Sequence, residues 1–363
     1  MDNGKLHLFR PHKGPWYKVP LVKALKGTTV AVKYSYIVDN TDASFLLFLK
    51  SWSVKNFWFN VKEIILLIVW CIYYGKSFKR IKASVGELDT LLFFYHGNLS
   101  TVDSSYDQDV IDALANYNCK KVCHITHFQY GLDVGPKNLD IVKPDLLIGE
   151  GDPRLYNEKL AKLWEKYEFQ VLPFCVKEKF FDNLVPFNLR GANVVTTGTI
   201  APPISDSTFI NFYGTDCLQP ERLEVLEKYY NSKYVNCFIS NNYNGANHGL
   251  NDQNEYFKCD ISQLYSNHKF AIVTSEIVGF PAIGLFEALV SGCVVISTDE
   301  ALLKTYGMKP NIHYVYVDDY DKVEEVLGGI SQDDIKSIIK NSSEISKLFS
   351  SYSLSRKVLS LCS

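Results

Sequence analysis

The stretch from Lys269 to Thr298 constrains the fold of this chain more than any other. Lys269–Glu276 reads as a buried strand, a Gly/Pro turn follows, Ile283–Gly292 reads as an apolar helix, and Cys293–Thr298 reads as a second strand. A strand, a crossover helix and a parallel strand form one right-handed unit, which needs a sheet covered by helices on both faces. In such sheets ligands bind outside the carboxyl ends of the strands. The unit brings two glutamates toward that edge, Glu276 at the end of the first strand and Glu287 in the early turns of the helix.

The same rhythm runs through the rest of the chain. Strands are predicted at 6–9, 28–36, 91–95, 121–126, 145–148 and 169–174, with helices between them at 19–25, 43–55, 60–82, 107–117 and 155–167. Their apolar runs lack clean in/out alternation, as expected of a parallel sheet buried on both faces. The stretch 177–192, with Pro186 and Asn188, interrupts the pattern and reads as an interdomain connection. The pattern then restarts, with strands at 193–197 and 234–239, the opening unit, a strand at 313–317, and helices at 220–230, 258–266, 320–328 and 332–350. At 363 residues the chain exceeds one ordinary core. The expected fold is therefore α/β, two tandem Rossmann-like, doubly wound parallel-sheet domains facing a cleft. Residues 1–180 form the first domain, 190–345 the second, and 346–363 a C-terminal helix that returns to the first.

Composition narrows the partners. With 47% hydrophobic and 21% charged residues the chain is globular, and a net charge of -2 offers no basic field for nucleic acid. The nine cysteines contain no CxxC pair, and the N-terminus has no secretory-leader pattern. Free thiols in a reducing cytoplasm are expected, with no metal site. The apolar run Ile64–Tyr74 is about half the ~20 residues of a membrane span. It reads either as a buried helix or, with Phe57, Trp58, Phe59, Trp70 and the basic tail Lys76, Lys79, Arg80 and Lys82, as a peripheral contact of 57–82 with an anionic leaflet.

Strand ends supply the candidate site. In the second domain these are Gly198 with Thr199, Ser240, Ser275 with Glu276, and Thr298 with Asp299. Gly198 would let backbone approach a phosphate, and the helix entered at Pro281–Gly284 would point free N–H groups at an anion. Glu287 could accept hydrogen bonds from a sugar diol or decorate a buried helix. In the first domain His96 and His127 each close a strand, and either could serve as a base or as a satisfied sheet-edge residue. Glu150 and Asp152 follow a strand end as alternative carboxylate bases or as caps of the helix that starts near Pro153, a place that suits Asp152. Asp319-Tyr-Asp321 has the spacing of a metal-diphosphate motif, but its place before a helix is explained by capping.

The run from Glu276 to Ile296 resembles the donor-binding motif of the retaining GT-B glycosyltransferases. The correspondence is good from Phe286 to Ile296. Before it the two glutamates are separated by ten residues, a few more than in the family pattern. The loop Pro11–Trp16, with Lys13 and Gly14, resembles the family's glycine loop beside the donor phosphates, and the strand ending at His127 resembles the one whose histidine lies under the donor sugar. The resemblance implies a glycosyltransferase moving a sugar from a nucleotide-sugar donor to a hydroxyl of a glycan, lipid-linked or other acceptor, with retention favoured. It implies His127, Glu276 and Glu150 as catalytic candidates. Donor contacts would come from Glu287, Gly198, Thr199, Lys13, Gly14, Ser240 and Gly284. It implies no metal and no cofactor, the nucleotide-diphosphate sugar being a co-substrate. Lys13, Lys258 and Arg190 are the candidates for a phosphate-binding cation. The alternatives are a nucleotide-sugar epimerase of the same fold and a non-catalytic two-lobed binding protein.

Overall fold

The computed structural model describes residues 6–10, 30–33, 89–94, 111, 114–125, 132, 134–182, 184–240 and 259–362. The predicted helices at 19–25, 43–55 and 60–82 lie outside the described residues; of that at 107–117, residues 111 and 114–117 are described, and Ile111, Leu114 and Ala115 are helical.

Six parallel strands make the first sheet: β1 (Leu6–Arg10), β2 (Val30–Lys33), β3 (Thr90–Phe94), β4 (Lys120–Ile125), β5 (Leu146–Gly149) and β6 (Phe169–Val171), in the order β2-β1-β3-β4-β5-β6. Helices α1 (Val134–Val142) and α2 (Glu158–Trp164) are described between its later strands. A connection containing two 3-10 turns, Glu178–Phe180 and Phe187–Leu189, leads to the second sheet. That sheet consists of β7 (Gly191–Thr199), β8 (Val235–Ser240), β9 (His268–Ile272), β12 (Val294–Ser297) and β13 (Val315–Tyr316), all parallel, in the order β13-β12-β9-β7-β8. Its helices are α3 (Ser207–Tyr213), α4 (Pro220–Tyr229), α5 (Ile261–Ser266), α6 (Ile283–Val290), α7 (Glu300–Thr305), α8 (Val323–Gly329) and α9 (Gln332–Ser346).

The predicted strand 269–276 proves shorter. β9 stops at Ile272, and Ser275–Glu276 (β10) pairs antiparallel with Phe280–Pro281 (β11) in a small hairpin of its own. Glu276 therefore stands on a hairpin beside the sheet edge rather than on the strand itself.

The uninterrupted apolar runs have a simple cause. Along β12, Val294 and Ile296 join a core with Val225 and Tyr229 of α4 and Ile335 and Ile338 of α9. Val295 points the other way, into the core with Leu285, Phe286 and Leu289 of α6. The period-2 alternation is present, but both faces are apolar. In the first sheet Leu92, Val122 and Ile148 are covered by Leu354, Val358 and Cys362 of α10 (Ser351–Cys362). Helix α10 is anchored there by Thr90 Oγ1 donating to Cys362 O at 2.8 Å and by Lys357 Nζ donating to Val171 O at 2.8 Å.

Aromatic side chains join the two halves. Phe286 packs edge-on against Phe174, Tyr306 and Phe349, with ring centroids 5.8, 5.0 and 5.0 Å away. Phe174 follows β6 of the first sheet, and Tyr306 of the second donates its hydroxyl to the Glu150 carbonyl. Among the described residues no helix is long and apolar enough to cross a membrane, and the stretch 57–82 lies outside them. The eight described cysteines are all free thiols.

Candidate functional site

In the second sheet, β7 connects onward to β8 on one side while β9 leads to β12 and β13 on the other. Their carboxyl ends therefore mark the switch point at which doubly wound sheets receive ligands. At the end of β7, Gly198 has φ +141°, and a Cβ there would stand 2.9 Å from Nε of Arg222. The glycine gives its side-chain space to a guanidinium.

Arg222 comes from the first turn of α4 and is only 5% exposed. Its Nη1 donates to Thr199 O at 2.6 Å and its Nε to Thr274 Oγ1 at 3.3 Å. Among the described residues no carboxylate forms an ion pair with it. Buried guanidinium groups ordinarily have an anion beside them, because desolvating a lone charge is costly. Gln219, at the cap position of α4, does not cap it. Its amide instead accepts from Ala201 N at 2.9 Å and donates to Glu276 Oε1 at 3.1 Å. The first-turn N–H groups and the positive helix end thus add to the field of Arg222.

Two carboxyl groups, Glu221 in the first turn of α4 and Asp299 at the cap of α7, lie close to one another. Glu221 Oε2 accepts from Ser275 N at 3.2 Å, Ser275 Oγ at 3.4 Å and Tyr320 Oη at 3.3 Å. Burial raises the Glu221 carboxyl above its ordinary range, nearby Asp299 adds to the rise, and the Ser275 and Tyr320 donors oppose it. Burial likewise raises Asp299, against the Leu302 N–H, Ser275 and the Tyr156 hydroxyl. Glu287, one turn into α6 and 9% exposed, is pushed up to about 7 by burial, with Lys177 and Lys179 of the interdomain connection pulling the other way.

The remaining candidates separate. Gly198, Thr199 and Glu276 gather around Arg222 and the first turn of α4. Ser240 is buried at the end of β8, where its carbonyl accepts from Ile200 N at 2.8 Å. Gly284 makes room for a protein group. A Cβ there would lie 2.8 Å from the Tyr265 hydroxyl, which is itself 2.6 Å from Thr197 Oγ1. Glu150 is 2% exposed, with Oε1 3.3 Å from His124 Nε2. Asp152 caps the turn Pro153–Leu155 and holds Arg154 through two further hydrogen bonds, at 2.8 and 2.6 Å. His127, His96, Lys13, Gly14 and Lys258 lie outside the described residues.

Two expectations about charge change. Arg190 stands at the amino end of β7, donating to Val185 O at 2.7 Å, on the edge opposite the switch point. It cannot serve a ligand there. The buried cation at the switch point, Arg222, is not among the sequence candidates; it lies in a helix opening Pro-Glu-Arg, the second helix after the strand that ends Gly-Thr. Asp319 caps the turn Tyr320–Lys322 and Asp321 pairs with Lys228, so both aspartates have structural partners. Among the described residues no group of three or more His, Cys, Asp or Glu could hold a metal ion.

No protein-family model and no curated protein matches this chain. Solved structures do. A glycosyltransferase from Rickettsia africae ESF-5 shares 13% identity over 99% of this chain and 98% of its own, with a TM-score of 0.50. Anabaena HepE in complex with UDP shares 9% over 99% of both chains, with a TM-score of 0.52. The trehalose-6-phosphate synthase of E. coli bound with UDP-2-fluoro glucose shares 10% over 98% of both, with a TM-score of 0.52. The chain has the GT-B fold. At these identities the likeness is one of fold, and it spans both sheets and the returning helix α10. It gives the switch point at Arg222 its setting, the edge of the second sheet of a two-domain GT-B protein.

Proposed function

We propose that the protein is a glycosyltransferase that moves a sugar from a nucleotide-diphosphate donor to a hydroxyl acceptor. Arg222 carries the reading: a buried cation with no carboxylate partner among the described residues, at the switch point of the second sheet, beside a helix start that its cap residue's side chain leaves uncapped. A diphosphate supplies the charge that this position lacks. As the glycosidic bond breaks, negative charge grows on the leaving diphosphate, and a preorganised guanidinium with helix N–H groups stabilises it. The leaving group then needs no metal ion. Glu287 would accept from a diol of the donor, and the close approach of backbone at Gly198 and Thr199 would flank the phosphates, with Lys13 and Gly14 facing them from the first domain. Glu276, tethered to Gln219, stands next to this centre and supports retention. His127 is the proposed partner of the acceptor or donor hydroxyl. Glu150, held against His124, would act through that pair. The acceptor would be a glycan or lipid-linked hydroxyl entering from the first domain, and residues 57–82 would bring a lipid-linked one within reach.

UDP is the nucleotide to test first, because two of the structural relatives are complexes of UDP or a UDP-sugar. Thermal melting with UDP-, GDP-, CMP- and dTDP-sugars provides the test. A ligand at a hundred times its Kd stabilises by about 2.7 kcal/mol, a rise of several degrees. The expected result is a rise with a UDP-sugar in the wild type that Arg222→Met removes. If no nucleotide sugar raises the melting temperature, the donor site is not there.

A further inference from the structure

A contact from the first domain bears on the donor side of the cleft. Tyr156 follows the 3-10 turn Pro153–Leu155 directly after β5, and Asp152 fixes that turn by capping it and binding Arg154. Across the cleft, Gly279 has φ +65°, and a Cβ there would fall 1.9 Å from Cζ and 2.1 Å from Cε1 of Tyr156. The tyrosine ring thus occupies the place of a side chain at 279, and only glycine admits it. Its hydroxyl is buried beside the Asp299 carboxyl, which caps α7.

Gly279 is the last residue of the turn joining β10 to β11. That hairpin carries Ser275, which donates to Glu221, and Glu276, which accepts from Gln219. Both partners belong to the start of α4, next to Arg222. One short path therefore links a rigid turn of the first domain to the anion-binding end of α4. The domains are held together elsewhere, by Phe174, Phe286 and Phe349 and by the Tyr306–Glu150 contact. Removing Tyr156 would release the hairpin without parting the domains.

We propose that Tyr156 is a positioning residue of the transfer: seated on Gly279, it clamps the β10–β11 hairpin and holds Glu276 and the donor site in register with the first domain. The inference rests on the glycosyltransferase reading. It assigns Tyr156 no contact with the reacting atoms.

The test uses the full chain with Tyr156→Ala, Tyr156→Phe and Gly279→Ala. Amide exchange at 275–281 reads the clamp, calorimetric titration with UDP reads the donor site, and UDP released from the UDP-sugar chosen by melting reads turnover. Tyr156→Ala should speed exchange in the hairpin by about tenfold or more. A misplacement of about 1 Å at a reacting centre can lower turnover a hundredfold, so kcat should fall by roughly ten- to a hundredfold. The Kd for UDP should stay within about threefold, because Arg222 is untouched. Tyr156→Phe, which keeps the ring, should restore most of the turnover. Gly279→Ala, evicting the ring from the other side, should add little to Tyr156→Ala. If Gly279→Ala does not fold, Tyr156→Ala alone decides. Unchanged exchange at 275–281 in that variant overturns the clamp. A loosened hairpin with unchanged kcat, or a loss of kcat that Tyr156→Phe does not restore, overturns the positioning role. A wild type that does not bind UDP instead refutes the donor reading, and the exchange result still stands by itself.

Discussion

Replacing Glu287 with glutamine should make the free protein more stable at alkaline pH and less able to hold its donor. The carboxyl of Glu287 is buried in α6, and burial raises it from 4.5 to about 7. Between those values the folded state keeps a proton that the unfolded chain has released, so stability falls as pH rises through this window and levels off above it. Near pH 4.5 the penalty is absent. At roughly 1.4 kcal/mol per pH unit, the full penalty at pH 8 is about 3 kcal/mol. Glu287→Gln keeps the shape of the side chain and removes the titration. Its melting temperature should match the wild type at pH 4.5 and exceed it by roughly 5–10 °C at pH 8. Losing a charged acceptor for the donor hydroxyls should weaken donor binding by about 1.5–3 kcal/mol, on the order of ten- to a hundredfold. Scanning fluorimetry of both proteins from pH 4.5 to 8, with and without UDP-sugar, measures both effects. A difference between them that does not vary with pH, or a variant less stable than wild type at pH 8, would refute the burial argument. A gain in stability with undiminished donor binding would remove Glu287 from the donor site.

Further outcomes follow from the same structure. Gly198→Ala would place Cβ 2.9 Å from Arg222 Nε at φ +141°; it should cost about 1–3 kcal/mol by urea unfolding and reduce the UDP-induced melting shift. Phe286 is fully buried at the junction of the two sheets, so Phe286→Ala should cost about 3–5 kcal/mol and separate the unfolding transitions of the two domains in calorimetry. Transfer activity should survive EDTA, since the proposed leaving-group charge is met by Arg222. Loss of activity in EDTA, restored by Mn²⁺, would return attention to Asp319 and Asp321.

The two-sheet architecture was legible because helices and strands alternate at short intervals and the strands are apolar on both faces. Val294, Val295 and Ile296 read as one run while serving two different cores. Local signals failed where the structure depends on distant pairing. The hairpin Ser275–Pro281 reads as part of a strand and turn because Val273 and Thr274 continue the β pattern past the end of β9 at Ile272. Helix α3 is only seven residues long, begins at the Asp206 cap and is not among the predicted helices. At the site, strand-end positions such as Gly198 and Thr199 could be found from sequence, since topology alone brings them to the edge. Arg222 could not, because an arginine in the first turn of a helix is ordinarily solvated. Only the missing side chain at Gly198 makes room for it indoors. Tyr156 and Gly279 are far apart along the chain, and no local pattern announces their contact.

Helix α10 sets the order in which the molecule can be made. Leu92, Val122 and Ile148 on one face of the first sheet are covered by Leu354, Val358 and Cys362. A ribosome releases the strands of that sheet long before the helix that shields them. Throughout synthesis of the second domain Leu92, Val122 and Ile148 therefore lack the cover of α10, and uncovered apolar surface exposes a nascent chain to aggregation and to chaperone binding. The first domain to emerge is the last to be finished.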